Sequence, residues 1–176
     1  MNSLFENMDI SKNQPLYLYQ QPMFMLTVSV VLIHDNRVLT LQGGESIIKF
    51  DPVTPEERAP DIYYVRRFPG GLVRAGQETI QFAAVRHIKE QTGLRLSKEA
   101  LIPVDFRSSP ERSKEGNVVD IGMVCMLNNI NDVTTAIWEE VDFENKKIVE
   151  SADRIFYMDH DVLLNRAIDI VCMVKD

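Results

Sequence analysis

The stretch from Glu78 to Thr92, ETIQFAAVRHIKEQT, constrains the fold more than any other part of this chain. It opens after Pro69-Gly70-Gly71 and closes on Gly93-Leu94. At roughly 100° of rotation per helical residue, Ile80, Ala84 and Ile88 make one apolar stripe that predicts a helix buried against a sheet. Glu90, His87 and Gln91 fall in one polar arc, with Arg86 beside Glu90. One face is therefore core, and the adjacent face can meet a ligand. Thr79 is the expected N-cap and Gly93 the left-handed stop, so the helix runs to about Gln91 or Thr92. The glycines before it let the backbone approach a ligand and turn sharply, although most Gly-Gly pairs are ordinary loops.

The rest of the chain supplies strands. Phe24 to Ile33 is rich in β-branched residues, and the polar turn His34-Asp35-Asn36-Arg37 leads into Val38 to Leu41, which together predict a hairpin. Ile62 to Phe68 is the next strand. Further strands are expected at Leu101 to Phe106, Val118 to Leu127, Lys147 to Val149 and Arg154 to Tyr157, before a last helix from about Asp161 to Val174. Many strands with few helices predict an α/β fold whose mixed sheet is covered on both faces. Residues 43 to 61 carry Pro52, Pro55 and Pro60 and read as a surface loop, either a lid or dimer element or a plain solvated loop. Residues 1 to 22 form an N-terminal extension in which Leu16 to Tyr19 could add a strand to a sheet edge or to a dimer partner.

With 176 residues, 45% of them hydrophobic, a single domain over residues 23 to 176 is expected. The net charge of −7 argues against a nucleic-acid partner, whose backbone selects clustered Lys and Arg. Met23 to Ile33 is too short to span a bilayer, so no membrane partner is expected. Glu6 and Asp9 precede Lys12, the wrong charge order for a secretory signal, which leaves a cytoplasmic location as the expectation. Cys125 and Cys172 each sit in an apolar run without a motif partner and are expected to be buried, reduced thiols.

The order Pro69-Gly70-Gly71, Glu78, Ala83-Ala84, Arg86, Glu90, Thr92-Gly93-Leu94 resembles the Nudix box. That pattern runs Gly, five residues, Glu, seven residues, Arg-Glu, apolar, any, Glu-Glu, any, Gly, apolar. Here six residues separate Gly71 from Glu78, His87 stands where the family has the Glu after Arg, and Gln91 replaces the second of the paired Glu. The resemblance implies a Nudix-type α/β/α sandwich with a mixed β-sheet. It also implies Mg²⁺ (or Mn²⁺) held by Glu78 and Glu90, with Arg86, His87 and Glu90 as the catalytic candidates. Divalent ions of this kind prefer hard oxygen ligands. With two acids replaced, the metal is expected to be held weakly and turnover to be low. His87 could serve as a base near neutral pH, but neutral imidazole is a poor Mg²⁺ ligand. Read alone, Arg86 and Glu90 are equally a solvated helix pair and His87 a surface histidine.

Two further segments resemble the ADP-ribose pyrophosphatase-like branch and its relatives that regulate NAD metabolism. Ser109-Pro110-Glu111-Arg112 with Gly116-Asn117-Val118-Val119 is similar to that branch's Pro-any-Arg and Gly-any-Val-Val, and Met158-Asp159-His160 is similar to its closing segment. The resemblance then implies a small nucleotide ligand, a nucleoside diphosphate derivative like ADP-ribose, contacted by Gly70, Gly71 and Arg112. His160 could instead only cap the last helix. Trp138, Glu139 and Glu140 lie where Nudix proteins often place base contacts or a late acid, and Asp142 and Glu144 are further late-acid candidates; a partly buried loop Trp is the plainer account of Trp138. A winged DNA-binding domain like that of those regulators is not expected here. Two functions remain: weak metal-assisted pyrophosphate hydrolysis, or a non-catalytic nucleotide-binding sensor or interaction module. A homodimer is a further option.

Overall fold

The computed structural model describes residues 24–43, 65–108, 117–130, 136–149, 155–157 and 159–175. The N-terminal extension, most of the 43 to 61 loop, residues 62 to 64 and Arg112 lie outside them.

A nine-stranded mixed sheet carries the fold. Its axis is β1 (Phe24–His34), which runs parallel to β6 (Asn117–Met126) along the whole stretch Phe24 to Ile33. The other edge of β1 is shared. Ile33 and His34 pair with β2 (Arg37–Gly43), whereas Thr27 to Ser29 pair with β4 (Gly70–Leu72). The sheet therefore splits along β1, and the amide of Val30 donates to the carbonyl of Pro69 at the point where β4 comes in, 2.8 Å. Beyond the split, β2 pairs with β3 (Val65–Arg67) and with β7 (Ile137–Asp142). The outer strands are β5 (Ile102–Ser108) on β6, β8 (Lys147–Ile148) on β7 and β9 (Ile155–Phe156) on β3.

Alternation along β1 sends side chains to two cores. Val28, Val30 and Leu32 pack with Leu39, Leu41, Met123 and Cys125 beneath α1 (Ile80–Thr92). Val31 and Ile33 pack with Val38, Phe68 and Val124 beneath α2 (His160–Lys175). Each helix covers one face, which gives the expected sandwich. Helix α1 meets the sheet through Ala83, Ala84 and Ile88, all buried, with Ile80 partly buried beside them. Small alanines allow the helix axis to come close to the strands. Gly122 on β6 does the same for α2, because a Cβ there would lie 2.4 Å from Leu163 Cδ1.

Three sequence expectations are corrected. Residues 70 to 72 form a strand and not only a turn. Trp138 lies on β7 and not in a loop; it packs partly buried against the α1 core, edge-on to His34. Cys125 is buried, and burial pushes its thiol up to about 11, but Cys172 is exposed. The buried stripe of α2 is Leu163, Leu164, Ala167, Ile168 and Val171, and Cys172 stands one position past its last member.

Beneath the start of α2 lies a buried ionic network. Asp120 accepts from Thr27 and Ser29 and takes Arg107 Nη2 at 2.8 Å, while Arg107 Nη1 donates to the Asp159 carbonyl. It fixes β5, β6 and β1 against the helix. Among the described residues, no helix is long and apolar enough to cross a membrane.

Candidate functional site

The site sits where the sheet splits, between β4 and one face of α1. Thr79 caps the helix, with the Phe82 amide donating to its Oγ1 at 3.3 Å, and Gly93 ends it at φ 81°. Both ends fall where the sequence put them. The polar arc then faces the Gly70-Gly71-Leu72 backbone.

Arg86 is the hub of that arc. Its Nε and Nη2 donate to the two Glu78 carboxylate oxygens at 3.0 and 2.6 Å, its Nη1 to Glu90 at 3.3 Å, and its Nη2 also to the Leu72 carbonyl at 3.1 Å. Glu78 in turn accepts the Arg74 amide at 2.9 Å. The paired Arg86 hydrogen bonds, then the Arg74 amide, hold the Glu78 carboxyl at about 2, well below its ordinary value near 4.5. A carboxyl lowered by folding contributes stability above its unfolded value and loses that contribution as pH falls toward the folded one. Glu78→Gln is therefore expected to lower stability above pH 4.5, with the difference from wild type shrinking as pH drops toward 2. Denaturant unfolding across that range measures it.

His87 and Gln91 also turn inward. His87 Nε2 lies 3.0 Å from the Leu72 carbonyl, which can only accept, so Nε2 carries the proton and is engaged. Its Nδ1 faces Glu90 at 3.8 Å. Gln91 grips a single residue from both sides: Oε1 accepts the Gly70 amide at 2.9 Å and Nε2 donates to the Gly70 carbonyl at 2.8 Å. The glycines let β4 pack closely between β1 and α1. A Cβ on Gly70 would sit 2.1 Å from the Val28 carbonyl oxygen, which is backbone and cannot yield. Gly70→Ala is expected to cost about 3 kcal/mol or more in a chemical melt, at the upper end of overpacking. At Gly71 the clash, 2.6 Å, is with the His87 ring, so a methyl there would displace His87 from Leu72.

Four of the named residues, Glu78, Arg86, His87 and Glu90, thus converge with Gly70 and Gly71. Of the candidate late acids, Glu139, Glu140 and Asp142 are engaged elsewhere. Glu139 is buried in a two-point pair with Arg66, Nε to Oε2 at 2.5 Å and Nη2 to Oε1 at 2.6 Å, and takes the Thr40 hydroxyl at 2.6 Å. Glu140 is exposed and accepts from Asn36, and Asp142 accepts from Asn145 in the following turn. His160 is buried, stacks on Phe68 with ring centroids 5.4 Å apart, and accepts the Phe68 amide at 3.0 Å. It does more than cap a helix, because it ties the start of α2 to the strand leading into the glycine turn. Neither that tie nor the Gln91 grip had a sequence signal beyond residue type.

The NUDIX domain family model matches residues 23–144. The chain belongs to the Nudix family. A 53-residue segment, 30% of the chain, is 47% identical to an ADP-ribose pyrophosphatase of Methanocaldococcus jannaschii, and the match spans 30% of that relative. The fold is similar to a MutT/nudix family protein from Enterococcus faecalis, with TM-score 0.61 and 19% identity over 89% of this chain and 67% of the other. It is also similar to the NUDIX domain of Shewanella oneidensis NrtR, solved in complex with ADP ribose, with TM-score 0.58 and 16% identity over 91% and 94% of the two chains.

The divalent metal that Nudix hydrolases use has a poor donor set in this Nudix domain. Glu78 is neutralised by Arg86, Gln91 Oε1 is occupied by the Gly70 amide, and His87 Nε2 by Leu72. Glu90, half exposed, is the acid of the arc that remains turned to solvent. Among the described residues, no three His, Cys, Asp or Glu side chains are grouped to hold a metal ion. The residues present do not fit a resident cation.

Proposed function

We propose that this Nudix chain takes a nucleoside diphosphate derivative of the ADP-ribose kind at the β4–α1 cleft, and that it works as a nucleotide-binding module whose pyrophosphate hydrolysis is weak. The observation that carries this reading is the inward use of the polar arc. Three of its side chains, Arg86, His87 and Gln91, bond to the Gly70 and Leu72 backbone. Glu90 alone is left as an acid open to solvent beside the turn.

In this reading Gly70 and Gly71 let the diphosphate approach the backbone, and Arg112, outside the described residues, pairs with an anionic part of the ligand. Glu78 orients Arg86, whose Nη2 also holds the Leu72 carbonyl of the turn. Glu90 and His87 are the groups left for proton transfer, and they are poor at it because Glu90 accepts from Arg86 Nη1 while His87 Nε2 is taken by the Leu72 carbonyl. The ADP-ribose assignment draws on the pyrophosphatase relative and on the ligand of the NrtR structure. A location in the cytoplasm and a single domain over residues 23 to 176 complete the proposal.

A thermal-shift screen of ADP-ribose, NAD and nucleoside di- and triphosphates, with and without Mg²⁺, tests it. Stabilisation by ADP-ribose in the absence of metal is the expected result. Stabilisation by nucleoside triphosphates alone would overturn the ligand class, and stabilisation only when metal and nucleotide are both present would overturn the binding-module assignment.

A further inference from the structure

The contacts of β4 suggest how the cleft stays assembled. Two of its carbonyls face α1. Gly70 O receives Gln91 Nε2, and Leu72 O receives both Arg86 Nη2 and His87 Nε2. The carboxamide of Gln91 has only one orientation that works, since the Gly70 N–H needs an acceptor and the Gly70 carbonyl needs a donor.

A glutamate at this position would change the sign of one contact. One carboxylate oxygen would keep the Gly70 amide, but the other would meet the Gly70 carbonyl oxygen at about the 2.8 Å that Gln91 Nε2 now spans. Two oxygens without a hydrogen between them repel, unless a proton or a cation bridges them. The neighbouring edge of an octahedral divalent site, with metal–oxygen distances of about 2.1 Å, brings two oxygens to about 3 Å, so a divalent ion is the right size for that role.

We infer that Gln91 is a positioning residue whose amide N–H stands in for a bridging cation, with Arg86 and His87 doing the same at Leu72, so that the β4–α1 junction is latched by the chain's own donors and needs no metal. The inference concerns how the turn is held, and it stands whichever nucleotide binds there. Gly71 belongs to the same device, because its missing side chain leaves the space that the His87 ring fills. Both replaced acids of the box therefore serve one end. A merely absent ligand would need only a side chain that does no harm; His87 and Gln91 instead supply donors to backbone carbonyls.

The test uses the full chain with Gln91→Glu and Gln91→Ala, melted in EDTA and in Mn²⁺. Wild type is expected to melt at the same temperature in both. Both variants are expected to melt roughly 5 °C lower in EDTA, Gln91→Ala through loss of both hydrogen bonds to Gly70 and Gln91→Glu through loss of one and repulsion at the Gly70 carbonyl. Only Gln91→Glu should recover in Mn²⁺, by at least half of its deficit, and it should recover as well when pH is lowered enough to protonate the new carboxyl. Equal Mn²⁺ responses of the two variants would overturn the inference, as would a wild type stabilised by Mn²⁺ as strongly as Gln91→Glu. Should Gln91→Glu not fold in EDTA, its refolding on Mn²⁺ addition gives the same answer. Calorimetric titration of wild type with Mn²⁺ alone is a second readout, with saturable binding at one tight site as the contradicting result.

Discussion

The double variant His87→Glu, Gln91→Glu is expected to hydrolyse ADP-ribose in Mg²⁺ at least about 100-fold faster than wild type, where each tenfold corresponds to about 1.4 kcal/mol of barrier. Positions 87, 90 and 91 share one arc of α1, and only position 90 now carries a carboxylate. With glutamate at 87 and 91, three carboxylates would surround the space that His87 and Gln91 currently close off against Leu72 and Gly70. Divalent cations select such clusters of hard oxygens, and a bound dication is worth several kcal/mol of transition-state charge stabilisation. Initial rates with saturating Mg²⁺ measure the gain. A double variant that still binds ADP-ribose but stays inert would point to the six-residue spacing between Gly71 and Glu78, which departs from the family by one residue.

Arg66→Ala is expected to destabilise the fold by about 3–5 kcal/mol, the usual cost of leaving one partner of a buried ion pair without the other. Arg66 and Glu139 are 3% and 8% exposed, and Thr40 adds a third point of attachment. The pair joins β3 to β7 across β2, and the Arg66 guanidinium also lies 5.2 Å from the centre of the Phe156 ring on β9. Removing Arg66 strands the Glu139 charge among strands that offer it little water. Replacing both, as Arg66→Met with Glu139→Leu, is expected to be much milder, since a well-packed apolar pair is often as stable as the ions it replaces. Denaturant melts of the single and double variants measure the contrast. Equal losses in the two would show that shape rather than charge sets the effect.

Periodicity made much of this fold legible. The stripe Ile80, Ala84, Ile88, the cap at Thr79 and the stop at Gly93 are local signals, and the helix has the bounds they predict. The long β-branched run of β1 and the final helix are local in the same sense. What the chain order concealed is pairing at long range. Glu139 reads as a late-acid candidate beside Trp138 until Arg66, 73 residues away, is placed against it. Strand β4 has two glycines in three residues, a composition poor in strand propensity, and it exists because β1 offers it an open edge. The site was half readable. Helical spacing brought Arg86, His87, Glu90 and Gln91 together on paper and the family resemblance added Glu78, but the contacts of Arg86, His87 and Gln91 with β4 depend on how closely the helix lies over the glycines. Gln91, read as an acid lost, turns out to hold the turn.

The most direct measurement is calorimetric titration of wild-type protein with ADP-ribose, once in EDTA and once in Mg²⁺. Saturable binding is expected in both, with dissociation constants within about threefold of each other, a difference of less than 1 kcal/mol. Binding that appears only in Mg²⁺, or tightens there by more than tenfold, would contradict a β4–α1 junction that Arg86, His87 and Gln91 hold in binding form without a metal.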